Sequence, residues 1–223
     1  MGNLKMNNKV IVITGSDGAT AQGLINYFAT RYEHIIGFSR RQITVYKQNS
    51  VDIMKVDMLD NHQIIDAINT IIKKHGEISS WINCVGGFSM GNLIENEDDW
   101  TSMQSINFTT CLNGCRAIIP QFKKQNHGSI INFGSKAALE GFPTAAPYLI
   151  SKSSIHYLTK LIAIEMDDSK ARCNAILPGI IDTQANRRMM PDEDYSTWDS
   201  IDEIGSKIYN LLQDSISGEL VSL

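Results

Sequence analysis

Cysteine is scarce in this chain: Cys84, Cys111, Cys115 and Cys173 are spread over 223 residues, and no C-x-x-C pair begins a zinc site. They are too few and too scattered for a disulfide scaffold, which implies a reduced, cytoplasmic setting. Cys111 and Cys115 stand one helical turn apart with no His or second pair beside them, so they read as buried thiols, not ligands. Concentrated charge is also missing. Lys and Arg number 20 against 24 Asp and Glu, the net charge is −4, and no block of like charges forms a nucleic-acid arm or an acidic tail. The pairs Lys73-Lys74, Lys123-Lys124 and Arg187-Arg188 read as solvated faces. No stretch approaches about 18 uninterrupted apolar residues, so no membrane span is expected. Met1 to Lys9 holds no apolar export segment, and Met6 stands where a myristoylation signal would want Ser or Thr. There is no internal repeat and no linker, so one domain with one core is expected over residues 1–223.

What is present is alternation. Short β-branched runs at Val10–Thr14, Ile35–Phe38, Val51–Val56, Trp81–Val85, Ser129–Phe133 and Cys173–Leu177 are strand candidates, and helix-like stretches separate most of them. Such alternation predicts βαβ units and a doubly wound parallel sheet with helices on both faces. Asp60 caps a helix with Ile64, Ile65, Ile68, Ile71 and Ile72 at helical spacing, and Gly76 ends it. Long helices are expected at roughly 98–124 and 146–167. The segment 184–198, with Pro191, Met189, Met190 and Trp198, fits neither period and reads as a loop or short helix.

After the first strand comes Thr14-Gly15-Ser16-Asp17-Gly18-Ala19-Thr20-Ala21, followed by a helical pattern. A strand that turns sharply into a helix through small residues offers backbone N–H groups and a helix N-terminus to an anion, which suits a pyrophosphate. Glycine spacing alone is a weak signal, because any tight βα turn favours glycine. Ala19 and Ala21 stand where further glycines would help; Gly18 supplies backbone freedom, and Ala21 is small enough for helix–strand packing.

The second strand ends in Ser39-Arg40-Arg41. A carboxylate there would hold an adenosine ribose 2′-hydroxyl, whereas a hydroxyl with guanidinium groups suits a 2′-phosphate. NADP(H) is therefore favoured over NAD(H). The plainer alternative is two arginines closing a strand at the surface.

Further on lie Ser135, Tyr148 and Lys152. Tyr148 and Lys152 are four apart in a stretch of helical period, so they share one face. A phenol is a poor acid or base near neutrality, but an adjacent ammonium favours its phenolate, and the pair can then exchange a proton with an alkoxide or alcohol. A lone Tyr-x-x-x-Lys usually marks only a surface helix. Here Ser135 lies thirteen residues before Tyr148, at the end of a predicted strand.

With these residues in this order the chain resembles the short-chain dehydrogenase/reductase family from Thr14 to Gly218. The landmarks are the turn at 14–21, Asp57-Met58, Asn83-Cys84-Val85-Gly86, Asn107, Ser135, Tyr148, Lys152 and Pro178-Gly179-Ile180-Ile181-Asp182-Thr183. The resemblance implies a Rossmann-type sheet of about seven strands and an oxidoreductase moving hydride between a nicotinamide cofactor and a small carbonyl or alcohol. It implies that Asp57 and Met58 contact the adenine, and that Asn83, Val85 and Gly86 line the adenosine ribose. Ser135 would hold the substrate oxygen, Tyr148 transfer the proton, and Lys152 hold the nicotinamide ribose while lowering the Tyr148 pKa. Asn107 would position a relay water. The 178–183 segment would sit at the nicotinamide, with Ile181 and Thr183 fixing its carboxamide. Cys84-Val85 departs from the family's usual Asn-Ala.

The segment from Asp182 to Trp198 is similar to the same region of dihydropteridine reductases, as are Cys84 to Phe88 and Lys136 to Leu139. Those enzymes typically carry an acid after the second strand and no serine at the position of Ser135. A quinonoid-pterin reductase stays open as the alternative, and so does a dinucleotide-binding regulator without turnover. The expected substrate pocket gathers Phe88, Leu139, Phe142, Tyr148, Met189, Met190 and Trp198, which suits a small, largely apolar carbonyl; several of these residues could instead belong to the core. His156 continues the stripe Tyr148-Lys152-His156 and reads as a packing histidine. No metal cluster is visible. The family resemblance implies a homodimer or homotetramer through the two long helices, with no nucleic-acid or membrane partner.

Overall fold

A computed structural model describes residues 6–41, 50–94 and 97–223. The part of the amino-terminal reading that concerns residues 1–5 lies outside them. In chain order the elements are β1 (Met6–Thr14), α1 (Ala19–Phe28), β2 (Tyr32–Ser39), β3 (Val51–Lys55), α2 (Asn61–His75), β4 (Ser80–Asn83) and α3 (Glu97–Met103). A π-helical segment (Gln104–Thr109) leads into α4 (Thr110–Gln125), followed by β5 (Gly128–Phe133), α5 (Ala137–Glu140), α6 (Ala146–Glu165) and β6 (Ala171–Leu177). The chain closes with α7 (Gln184–Met189), a 3₁₀ turn (Tyr195–Thr197), α8 (Ile201–Gln213) and β7 (Leu220–Ser222).

Among the described residues seven strands pair in parallel in the order β3-β2-β1-β4-β5-β6-β7. The order reverses beside β1, and the crevice at the carboxyl ends of β1 and β4 is where such a sheet accepts a ligand. Strand β1 shows why both faces are covered. Val10 and Val12 join a core with Ile64, Ile68 and Ile71 of α2, Ile118 and Phe122 of α4 and Ile155 of α6. Ile11 and Ile13, pointing the other way, join Leu24, Ile25 and Phe28 of α1 and Ile204 and Ile208 of α8. A strand buried on both faces needs no polar alternation, hence its uninterrupted apolar run.

The ends of α2 follow the expectation. The Asp60 carboxylate accepts from the His62 and Gln63 amides at 2.9 and 3.2 Å, and Gly76, at φ +86°, stops the helix. The helix expected over 98–124 is instead three pieces: α3, the π-helical segment and α4. One wide turn carries Asn107, fully buried, toward the loop after β4. Short π segments of this kind recur at functional sites. Strand β7 extends the sheet beyond the six strand runs read from the sequence, by three residues at its edge. Among the described residues no helix is long and apolar enough to cross a membrane.

Candidate active site

At the crevice lies a cavity of about 510 Å³, lined by Gly15, Asp17 and Gly18 from the β1–α1 turn, Ser39 and Arg40 after β2, and Asp57 and Met58 after β3. Val85 and Gly86 complete the set of expected cofactor residues on its wall. Phe38, Val56, Leu59, Cys84, Ser102, Ser105, Ile106 and Thr110 also line it and were not foreseen. Their signal was weak because they come from strand ends and from the stretch running from α3 through the π turn to the start of α4, where neighbours along the chain point to different sides.

The turn is shaped for an anion. Gly15 sits at φ +69°, and a Cβ there would lie 3.1 Å from the backbone of Val85, so only glycine fits comfortably. Helix α1 begins at Gly18 with no side-chain cap and no acidic residue in its first turn, leaving its amino end toward the cavity for a negative group. Ala19 and Thr20 form that first turn. Ala21, 1% exposed, belongs to the core beneath it, and Ser16 is buried with its amide bonded to the Phe38 carbonyl. Thr14 is also buried; its hydroxyl accepts from the Cys84 amide at 3.0 Å, tying β1 to the loop after β4. Two walls of the crevice are thus held in register before any ligand arrives.

At the far wall Ser39 is buried and its hydroxyl accepts from the Arg41 amide at 3.0 Å, turning the chain so that Arg40 lines the cavity. Arg41 is exposed beside it. The Asp57 carboxylate accepts from the Leu59 amide at 2.9 Å, and the Met58 carbonyl accepts from Asn113 of α4 at 3.1 Å, so this loop is fastened to the helix behind it.

Asn83 needs a correction. Its side chain does not reach the cavity: the amide donates to Asn132 Oδ1 at 2.8 Å, and its oxygen accepts from the Trp81 indole at 2.8 Å. Strand alternation turns Asn83 under α4 and brings Cys84 to the cavity instead. Burial pushes the Cys84 thiol up to about 12, so it remains a protonated, unreactive wall group.

The second half of the site is built on α6 against the end of β5. Ser135 is buried, and its side chain lies against the Tyr148 phenol. Burial raises the Tyr148 pKa, and the Ser135 side chain lowers it. Lys152 donates to the Phe133 carbonyl at 2.9 Å. Burial lowers its pKa to about 8, with the Cys111 and Cys84 thiols opposing. The Lys152 ammonium bonds to the strand end, and Ser135 acts on the phenol. Asn107 clamps the intervening loop: its oxygen accepts from the Gly87 amide at 2.8 Å, while its amide donates to the Gly87 carbonyl and to Ser151 of α6. A Cβ on Gly86 would lie 3.0 Å from Asn107 Oδ1 and 3.3 Å from Lys152 Nζ, so the cavity runs up to these two groups.

The Phe88 ring meets that of Tyr148 edge-on, with centroids 4.9 Å apart. Phe88, Leu139, Phe142 and Met189 are exposed apolar residues, and Met190 is half-buried. Trp198 is not with them. It is buried, packed at a tilt against Tyr195 with ring centroids 4.7 Å apart, and borders a separate hollow with Glu203, Lys207 and Leu223. The reason is that Asp199 anchors its neighbourhood: the Asp199 carboxylate accepts from the Gly179 amide at 2.6 Å, and its backbone bonds with Ile180 and Asp182. Pro178 accepts from the Lys136 amide, beside Ser135; Ile181 bridges to Asp199; the Thr183 hydroxyl caps α7. None of these four expected nicotinamide contacts lines the described cavity, which ends nearer Gly86.

A parallel sheet with a glycine turn at its switch point and a Ser-Tyr-Lys group beside it, with Ser135 and Lys152 buried and Tyr148 half-buried, defines a dinucleotide-binding α/β oxidoreductase. The chain belongs to the short chain dehydrogenase family, whose pattern matches residues 9–194. It is similar to the 3-oxoacyl-acyl-carrier-protein reductase of Thermotoga maritima, 26% identical over 195 residues that cover 83% of this chain and 79% of the relative. Dehydrogenase/reductase SDR family member 4 of Mus musculus is 28% identical over 191 residues, covering 80% and 68%. Among solved structures, ElxO with NADP bound superposes with a TM-score of 0.87 at 22% identity, over 96% of each chain. An NAD+-bound xylitol dehydrogenase has the same TM-score, 0.87, at 21% identity over 98% of each chain.

Proposed function

We propose that the chain is an NADP(H)-dependent oxidoreductase acting on a small, largely apolar carbonyl or alcohol, with Tyr148 as its general acid and base. The observation that carries this reading is the contact between Ser135 and Tyr148, with Lys152 held against Phe133 in the same group and close to Gly86 of the cavity wall. A bound nicotinamide supplies or accepts the hydride. The residues of the chain supply the rest. The turn at Gly15 and Gly18 and the open amino end of α1 suit the pyrophosphate; Ser39, Arg40 and Arg41 suit a 2′-phosphate; Asp57, Met58 and Val85 enclose the adenosine end.

In the reducing direction Ser135 orients the carbonyl oxygen by hydrogen bonding, and Tyr148 gives its phenolic proton to that oxygen as charge develops on it. Lys152, close to Gly86 at the cavity end, holds the ribose and steadies the resulting phenolate until a proton returns. In oxidation the phenolate takes the alcohol proton. Asn107 secures the loop that both halves of the site share. Phe88 packed on Tyr148 and the exposed Leu139, Phe142 and Met189 favour an apolar substrate. Ser135 on Tyr148 favours a carbonyl over a quinonoid ring, whose reduction does not require a clamp on a carbonyl oxygen.

Calorimetric titration with NADPH and NADH, followed by NADPH oxidation with a panel of apolar ketones and aldehydes, tests the reading. NADPH preference and turnover that disappears in Tyr148→Phe, with cofactor binding retained, are the expected results. Normal turnover by that variant would sink the acid–base assignment, and binding of neither cofactor would favour a non-catalytic role.

The reading includes a homo-oligomer. Ile150, Tyr157, Leu161 and Ile164 share one exposed face of α6, opposite Ile155 and Ile162 in the core. A helix apolar on both sides is suited to burial between subunits. Light scattering checks this, and a monomeric mass would overturn it.

A further inference from the structure

Three successive turns of α6 grip Phe133 and Ser135 at the end of β5. Tyr148 meets the Ser135 side chain, Lys152 donates to the Phe133 carbonyl, and the Ser135 amide donates to His156 Nε2 at 3.2 Å. Gly134 lies between them. A Cβ there would come within 2.5 Å of His156 Nε2 and 2.4 Å of Leu177 Cδ2, so the bare backbone leaves the space the imidazole fills. His156 is 6% exposed.

We infer that His156 is a positioning residue for the reduction: by accepting the Ser135 amide it fixes the turn that aims the Ser135 hydroxyl at Tyr148 and the substrate oxygen. An amide can only donate, so Nε2 carries a lone pair and the ring is neutral with its proton on Nδ1. Burial, aided by the nearby Lys152 and Lys160 ammonium groups, lowers the His156 pKa to about 4, which keeps the acceptor available near neutrality. Ser135 is thus held through its amide by His156, through its carbonyl by the Ala138 amide and through its side chain by Tyr148. Removing the first lets the Ser135 backbone drift while the cofactor cavity, which His156 does not line, stays intact. Misplacement of a reacting group by about 1 Å is enough to lose as much as a hundredfold in rate.

This inference rests on the proposed carbonyl chemistry, and the experiment separates the two. The full chain is assayed with NADPH and, in turn, benzaldehyde and cyclohexanone, as the parent and as Ser135→Ala, His156→Leu and His156→Gln. His156→Leu is expected to lower kcat by about tenfold to a hundredfold with the KM for NADPH within about twofold of the parent. His156→Gln, whose amide oxygen can take the place of Nε2, is expected to return kcat to within about threefold of the parent. If His156→Leu does not fold, His156→Asn, whose side chain is too short to reach, replaces it. A His156→Leu or His156→Asn enzyme at parental kcat, beside a crippled Ser135→Ala, overturns the role of His156 alone. Equal losses in the Gln and Leu variants overturn the acceptor role and leave only packing. No turnover by the parent with either probe overturns the carbonyl reading and this inference with it.

Discussion

Lys152 and Phe133 are joined by a 2.9 Å hydrogen bond from ammonium to main-chain oxygen, which bolts the helix carrying Tyr148 to the strand that delivers Ser135. The bond closes a frame with β5 on one side and α6 on the other. Burial of an ammonium in that frame disfavours its charge, and this has a pH signature.

The Lys152 pKa is lowered by burial from 10.5 to about 8 in the folded chain. Between those values the unfolded chain holds the proton more often than the folded one, so this group makes stability rise with pH over that window. Below about 8 both states are protonated and the charge penalty is constant. Urea unfolding of the parent and Lys152→Met from pH 7 to pH 11 should show a parent-only gain on the order of 1–3 kcal/mol. Parallel curves would show that the buried ammonium is not strained.

Arg40 lines the cavity beyond the buried Ser39. Arg40→Ala should weaken NADPH binding by about tenfold, roughly 1.4 kcal/mol, and leave NADH binding within about twofold. Isothermal titration with both cofactors decides it. Equal losses would mean that Arg40 reads the shared part of the dinucleotide.

Gly114 of α4 lies where a Cβ would stand 2.4 Å from Asn83 Oδ1 and 3.1 Å from Met58 Cε. Gly114→Ala should therefore lower stability by about 1–3 kcal/mol through overpacking. Because Met58 lines the cavity, dinucleotide affinity should fall with it. Chemical denaturation and cofactor titration on the same variant check both halves, and an unchanged midpoint would refute the close approach.

Thr144, exposed at the turn before α6, has φ +62°, a backbone conformation that a β-branched residue adopts at a penalty. Thr144→Gly should raise stability by about 0.5–1 kcal/mol, after allowance for the greater freedom of glycine in the unfolded chain. A lower melting temperature would count against the strain. The Thr144 carbonyl also accepts from the Gly91 amide, so the variant should leave the Phe88–Tyr148 contact unmoved.

Legibility in the sequence followed local physics. Six strands were readable because β-branched runs such as Val10–Thr14 are buried on both faces, and Asp60 and Gly76 announced the ends of α2 through side-chain capping and positive φ. Strand β7 was not read, since three residues carry no period. The π turn escaped because an apolar pattern does not show one residue of extra winding; what holds it is Asn107 bonding to Gly87 and Ser151, a contact between distant parts of the chain. Asn83 was misplaced because a motif gives the residue and strand parity decides its direction. Trp198 looked like a pocket residue by composition, and only the anchoring of Asp199 shows that it faces elsewhere.

That anchoring has a wider consequence. With Asp199 fastened to Gly179, Ile180 and Asp182, the chain from 183 to 198 leaves and rejoins the body at almost one point. A segment whose ends are pinned together can change length and composition without disturbing the sheet beneath it. This one stretch can then be exchanged, much as a lathe takes a new tool in the same chuck, while the site residues on β5 and α6 stay where they are.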